Sequence, residues 1–182
     1  DTVSTCVTAG NGTGLGNNIA NLELVNCNGD AVKLHDSCET TTKAVWYVHT
    51  AGWCGACEQW LPQVNKLYNQ EKDNGLQVYY VLGEDANGSV PTQTYCKSYA
   101  EGKGLNPAHV LIDNSSSAGA WGMFSSKINM YQAEYIPWNA VLRASNMEYL
   151  WADNVTNGTI TNLQAALQAA LGKTVDITVL NP

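Results

Sequence analysis

The chain has 182 residues, a formal net charge of −7 and only 14% charged residues, so one domain with a substantial core is expected. The Lys and Arg residues form no run, which makes nucleic acid and anionic membrane poor partners, and no apolar stretch approaches the length of a membrane span. Six cysteines are more than a reducing cytosol usually holds idle, which points to a periplasmic or extracellular location.

Residues 1–20 are rich in Gly, Asn and Thr and read as a flexible N-terminal arm. Gly12, Gly14 and Gly16 do not make a phosphate loop, because no strand precedes them and no Lys follows. A start at Asp1, with no methionine or apolar leader, fits a chain trimmed after a signal peptide. The folded domain is expected over 21–172. Leu22 and Leu24 on one side of Asn28-Gly29, and Ala31 to Leu34 on the other, predict a β-hairpin. Residues 43–50 predict the central strand and 54–72 a helix, which Asn74-Gly75 ends.

Leu76 to Gly83 predicts the next strand. Val90 to Glu101 predicts a helix with Pro91 in its first turn, and His109 to Asp113 a further strand. Residues 114–135 fit a short helix over 118–124 and an irregular segment over 127–134, and so read as an insertion. Asn139 to Arg143 and Met147 to Trp151 predict a hairpin, and Thr159 to Leu171 a closing amphipathic helix ended by Gly172. Residues 173–182 are a tail, in which Val175 to Leu180 is either an edge strand or loose chain. Sequons at Asn11, Asn87 and Asn154 arise easily in an Asn-rich sequence, and no glycan is inferred from them.

Chemistry concentrates in Trp53-Cys54-Gly55-Ala56-Cys57, between the central strand and the helix. A cysteine at a helix N-terminus meets unpaired backbone N–H groups and the positive end of the helix dipole, which favour its thiolate. Cys54 is therefore the expected nucleophile. Cys57, one turn further in, is placed to resolve a mixed disulfide. This exchange needs no cofactor, and its partners are protein thiols and disulfides. Zinc would require a second ligand pair, but Cys96, His35, His49 and His109 are isolated in the sequence, and a c-type haem site would need His where Glu58 stands. A purely structural disulfide would be oddly placed at such a strand-to-helix turn.

Trp-Cys-Gly-Ala-Cys followed by Pro62, with Tyr135-Ile136-Pro137 ahead of the apolar Ala140-Val141-Leu142, resembles the thioredoxin superfamily. The N-terminal hairpin pattern is similar to that of TlpA/ResA-like members, which are secreted or membrane-tethered thiol-disulfide oxidoreductases. The resemblance implies an α/β thioredoxin-like fold: a central mixed sheet flanked by helices, an N-terminal β-hairpin and an insertion before a cis-proline at Pro137. It also implies substrate contact through Trp53, Ile136 and Pro137. Against the family pattern, Val48 stands where thioredoxins keep a buried acid, and Trp60 where many TlpA/ResA-like members carry one. Ala56 replaces the usual Pro of the spacer, and Trp138 follows the cis-proline where Thr is common. Glu58, Glu84 and His49 are left as candidate proton acceptors for Cys57, His49 being equally readable as a core histidine.

Cys6, Cys27, Cys38 and Cys96 are then available for two structural bridges. Three pairings are open, with Cys6–Cys27 and Cys38–Cys96 preferred. A secreted exchanger working as a reductant is the leading expectation. Its rivals are a peroxiredoxin-like peroxidase, for which Ala51 and the lone Arg143 are poor fits, and a copper chaperone using Cys54, Cys57 and a histidine.

Overall fold

A computed structural model of the protein describes residues 6, 10–113, 135–155 and 158–182. Of the expected insertion over 114–135, residues 114–134 lie outside the described residues. The strands are β1 (Glu23–Asn26), β2 (Ala31–Lys33), β3 (Ala44–Thr50), β4 (Leu76–Leu82), β5 (Val110–Ile112), β6 (Trp138–Arg143) and β7 (Glu148–Asn154), and the α-helices are α1 (Gly55–Glu71), α2 (Gln93–Gly102) and α3 (Ile160–Leu171). The strands form one mixed sheet in the order β2-β1-β5-β4-β3-β6-β7. Strands β3, β4 and β5 are parallel, while β6 runs antiparallel to β3 and β1 antiparallel to β5.

All seven residues of β3 are buried, as a strand covered on both faces requires. Ala44, Trp46 and Val48 face a core shared with Trp60, Leu61, Val64 and Leu67 of α1 and with Leu163 and Leu167 of α3. Val45 and Tyr47 point the other way, into a second core with Leu24, Leu34, Trp138, Leu142 and Tyr149. The three helices thus contribute to one face. The other is closed by the first hairpin, a 3₁₀ turn at Leu34–Glu39 and the segment before the hairpin.

Several details depart from the sequence-based expectations. Residues 10–20 are not a free arm. Gly16 N–H donates to Tyr149 O at 3.0 Å, Tyr149 N–H to Asn17 O at 2.9 Å and Ile19 N–H to Met147 O at 2.9 Å. The segment covers the outer edge of β7, and Ile19 seals the second core. Helix α2 starts later than expected: Thr92 is its N-cap, its hydroxyl accepting from Tyr95 N–H at 3.1 Å, so Pro91 precedes the helix instead of entering it. Residues 175–180 form no strand. Val175 and Leu180 are buried in the helix-side core, and side chains of α1 and α3 hold this segment, Gln63 to Asn181 O at 3.2 Å and Gln164 to Val175 O at 2.8 Å.

The preferred cystine pairing is also corrected: the bridges are Cys6–Cys38 and Cys27–Cys96. The sheet separates the residues of the rejected Cys38–Cys96 pair. Cys38 packs against the second core, whereas Cys96 lies in the helix-side core. Cys27 follows β1, and its N–H donates to Val110 O at 3.0 Å; Cys96 Sγ lies 3.9 Å from the same carbonyl oxygen. Placing β1 beside β5, under α2, is what joins them.

Candidate active site

The parallel β3 and the antiparallel β6 bring the end of one strand and the start of the other to the same edge, with His49 opposite Trp138 in register. The turn after β3 and the loop before β6 therefore meet, and the two cysteines lie between them. Cys54 is the N-cap of α1, with extended backbone, and its Sγ accepts from the Cys57 N–H at 3.1 Å. Cys54 and Cys57 are joined as a disulfide with Cα atoms 5.2 Å apart. Only 4% of Cys54 is exposed and none of Cys57, so the outer sulfur belongs to Cys54.

Around the pair, Ala51 and Ile136 complete a small apolar cluster. The Ile136 carbonyl oxygen lies 4.0 Å from Cys54 Sγ, and the Ile136–Pro137 peptide bond is cis. Pro137 also lines a groove with Ala56, Gln59, Trp60 and Val155. Trp53, next to Cys54 in the chain, is 53% exposed, and its indole N–H donates to Glu84 Oε2. Glu84 holds the same turn through its backbone, accepting from Gly52 N–H at 2.8 Å. Glycine is required at 52: a Cβ there would come within 2.6 Å of the Ala86 nitrogen.

The three candidate proton acceptors are engaged elsewhere. Glu58 pairs with Lys103 at 3.0 Å, and Glu84 accepts from Trp53. His49 lies on the face of β3 away from α1, with its ring 5.5 Å from that of Trp138 and Nε2 3.9 Å from Asp113 Oδ2. Full burial pushes its pKa down to about 3, so it is a neutral core histidine at physiological pH.

This has a pH consequence with a definite sign. The unfolded chain binds a proton at His49 below about pH 6.5, while the folded chain resists it down to about 3. Its contribution is therefore intact above about 6.5 and is lost as pH falls, by up to about 1.4 kcal/mol per pH unit. Unfolding free energies measured from pH 7 to 4 should fall more steeply for the wild type than for His49→Gln. Equal slopes would contradict a buried neutral His49.

Sequence reasoning missed one residue here. Asn139, fully buried in β6, accepts at Oδ1 from the indole N–H of Trp46 at 3.0 Å and of Trp60 at 3.1 Å, and its Nδ2 donates to Pro137 O at 3.3 Å. The available signal was a lone polar residue in an apolar strand, two positions after the proline.

A Cys-x-x-Cys disulfide at the mouth of the helix that follows the central strand, set in this sheet order, defines a thioredoxin-like thiol-disulfide oxidoreductase. The chain belongs to the AhpC/TSA family, whose model matches residues 15–145. Solved structures share the fold. A Chlorobium tepidum protein assigned as the thiol:disulfide interchange protein DsbE is 20% identical, the match covering 87% of this chain and 98% of that one at a TM-score of 0.64. A thiol:disulfide interchange protein from a Bacteroides species is 14% identical over 92% of each chain, with a TM-score of 0.61. The exposed lipoprotein thioredoxin Etrx1 of Streptococcus pneumoniae is 20% identical over 82% of this chain and 99% of that one, with a TM-score of 0.56. No curated protein matches the sequence.

Proposed function

We propose that the protein exchanges the Cys54–Cys57 disulfide and dithiol with protein partners outside the cytosol, working as a reductant. The observation that carries this reading is Cys54 at the N-cap of α1, accepting the Cys57 N–H and placed as the outer sulfur beside Ile136. In the reduced protein that N–H and the helix dipole favour a Cys54 thiolate. The thiolate attacks one sulfur of a partner disulfide and forms a mixed disulfide, releasing the other partner sulfur as a thiolate that takes a proton from solvent. Cys57, as its thiolate, then attacks Cys54 Sγ, closes Cys54–Cys57 and releases the second partner thiol. Two electrons pass to the partner, and the proton lost by Cys57 goes to solvent or to the leaving sulfur.

Trp53, exposed, offers an apolar landing surface, and the Ile136 backbone is the proposed pairing edge for an extended partner chain, with Pro137 shaping the loop. Export fits the disulfide frame, since all six cysteines are paired. Etrx1, an exposed lipoprotein, supports the same location by analogy.

Membership of the family leaves a peroxidase as the second reading, with Cys54 attacking peroxide and Cys57 resolving the sulfenic acid. The site favours it less. Ala51 replaces the expected Thr, and Arg143 lies at the far end of β6, with Nε 3.4 Å from Glu148, a strand length of about 17 Å from Trp138. A copper-chaperone reading fits less well still. His35 contacts Ile19 O, His49 faces Trp138 and His109 packs between Tyr68 and Tyr79, so each histidine is engaged away from the dithiol cluster.

Mixing the reduced protein with insulin tests exchange directly. Insulin disulfides should be reduced while Cys54–Cys57 closes in equal amount. Oxidation by hydrogen peroxide at a rate far above that of a free thiol, with insulin untouched, would select the peroxidase instead.

A further inference from the structure

We propose that Asn139 is a positioning residue for exchange: its buried carboxamide fastens the Pro137 carbonyl, beside the dithiol, to the helix that carries Cys54 and Cys57. This inference rests on the exchange reading of those cysteines.

Asn139 stands directly opposite Val48 in the antiparallel β3–β6 pair. Residues so paired project to the same face of a sheet, so its side chain enters the helix-side core, next to the position where thioredoxins keep an acid. The other place where many TlpA/ResA-like members carry an acid is Trp60, and Trp60 donates to Asn139. The two departures from the family pattern thus meet at one amide. An indole nitrogen only donates, so the atom facing Trp46 and Trp60 is the oxygen. The Nδ2 group is then directed to Pro137 O, 3.3 Å away.

The amide thereby joins β3 through Trp46, α1 through Trp60 and the proline loop through Pro137. Pro137 O and Ile136 O belong to consecutive peptide units, and Ile136 O is the backbone atom 4.0 Å from Cys54 Sγ. Fixing the first restrains the second against the sulfur. Because a carboxamide does not titrate, this tether is the same at every working pH, which a carboxylate at the same place would not be.

Asn139→Asp turns that difference into a readout. Its carboxylate still accepts from both indoles, but when ionised it presents an acceptor, not a donor, to Pro137 O. When protonated it regains a donor; burial raises its pKa, and the two indole N–H groups that favour the carboxylate lower it. Insulin reduction by this variant should fall about tenfold as the carboxyl ionises and return toward the wild-type rate at lower pH, with kcat carrying most of the change. Trp60→Phe keeps the ring and removes one donor, and should lower kcat about threefold without a new ionisation.

A merely structural role would lower the unfolding midpoint and leave the pH profile of the folded enzyme unchanged. Wild-type profiles and rates in both variants would overturn the positioning role. Should Asn139→Asp fail to fold, wild-type kcat in Trp60→Phe is itself the overturning result. A wild-type protein that never reduces insulin would overturn the exchange reading, and this inference with it, so the two failures are told apart by the wild type alone.

Discussion

Cys54→Ser should abolish insulin reduction, with a loss of about a thousandfold or more, while Cys57→Ser should accumulate a mixed disulfide between Cys54 and the partner. The asymmetry follows from position. Cys54 is the N-cap that receives the Cys57 N–H at 3.1 Å and keeps 4% of its surface exposed, and Cys57 is fully buried behind it. A serine hydroxyl at 54 has a far higher pKa than a thiol and no means of forming a disulfide, so neither step proceeds. Without the resolving thiol the first step still occurs, and the product has no internal route of release. Nonreducing electrophoresis and intact-mass measurement distinguish the two variants. A mixed disulfide on Cys57 in Cys54→Ser, formed at the wild-type rate, would reverse the assigned roles.

The second large effect is on stability. The double variant Cys27→Ala/Cys96→Ala should lose about 4 kcal/mol, and roughly 10 °C of unfolding midpoint, because the bridge spans 69 residues and constrains the unfolded chain strongly. The Cys6–Cys38 bridge spans 32 residues, and its removal should cost less. Insulin reduction by the folded fraction should persist in the Cys27/Cys96 variant, since the dithiol is untouched. Urea unfolding of the three proteins at one pH checks the order, and an unchanged midpoint in the Cys27/Cys96 variant would contradict it.

What could be read before the structure was chemistry carried by neighbouring residues. Asn28-Gly29 announces its hairpin because few residues tolerate the backbone of such a turn, and Gly29 has φ 94°. The cysteines announce themselves because the spacer, the preceding apolar strand and the following helical face lie within one short stretch, and α1 buries Trp60, Leu61, Val64 and Leu67 at helical spacing. Strand and helix bounds from 44 to 112 fall within a few residues of the expected ones, since each element is punctuated by Gly, Asn, Pro or Thr.

What could not be read depends on elements far apart in the chain. The partner of Cys27 follows from β1 pairing with β5 beneath α2, and nothing near residue 27 encodes that neighbour. Residues 10–20 look like loose chain by composition, yet the exposed edge of β7 supplies the carbonyls and N–H groups that hold them. Asn139 looks like one polar residue in an apolar strand. Its meaning appears only when Trp46 and Trp60, 93 and 79 residues away, converge on its oxygen.

The most direct test of the central claim, that Cys54–Cys57 is the working redox pair, is to equilibrate the protein in a series of glutathione buffers and map all three disulfides by mass spectrometry. The expected result is that Cys54–Cys57 alone opens and closes across the series, with a potential nearer that of thioredoxin, about −270 mV, than that of a strong oxidant, about −120 mV. Cys6–Cys38 and Cys27–Cys96 should stay closed throughout. A Cys54–Cys57 bond that never opens, or that opens only together with the other two, would contradict the claim.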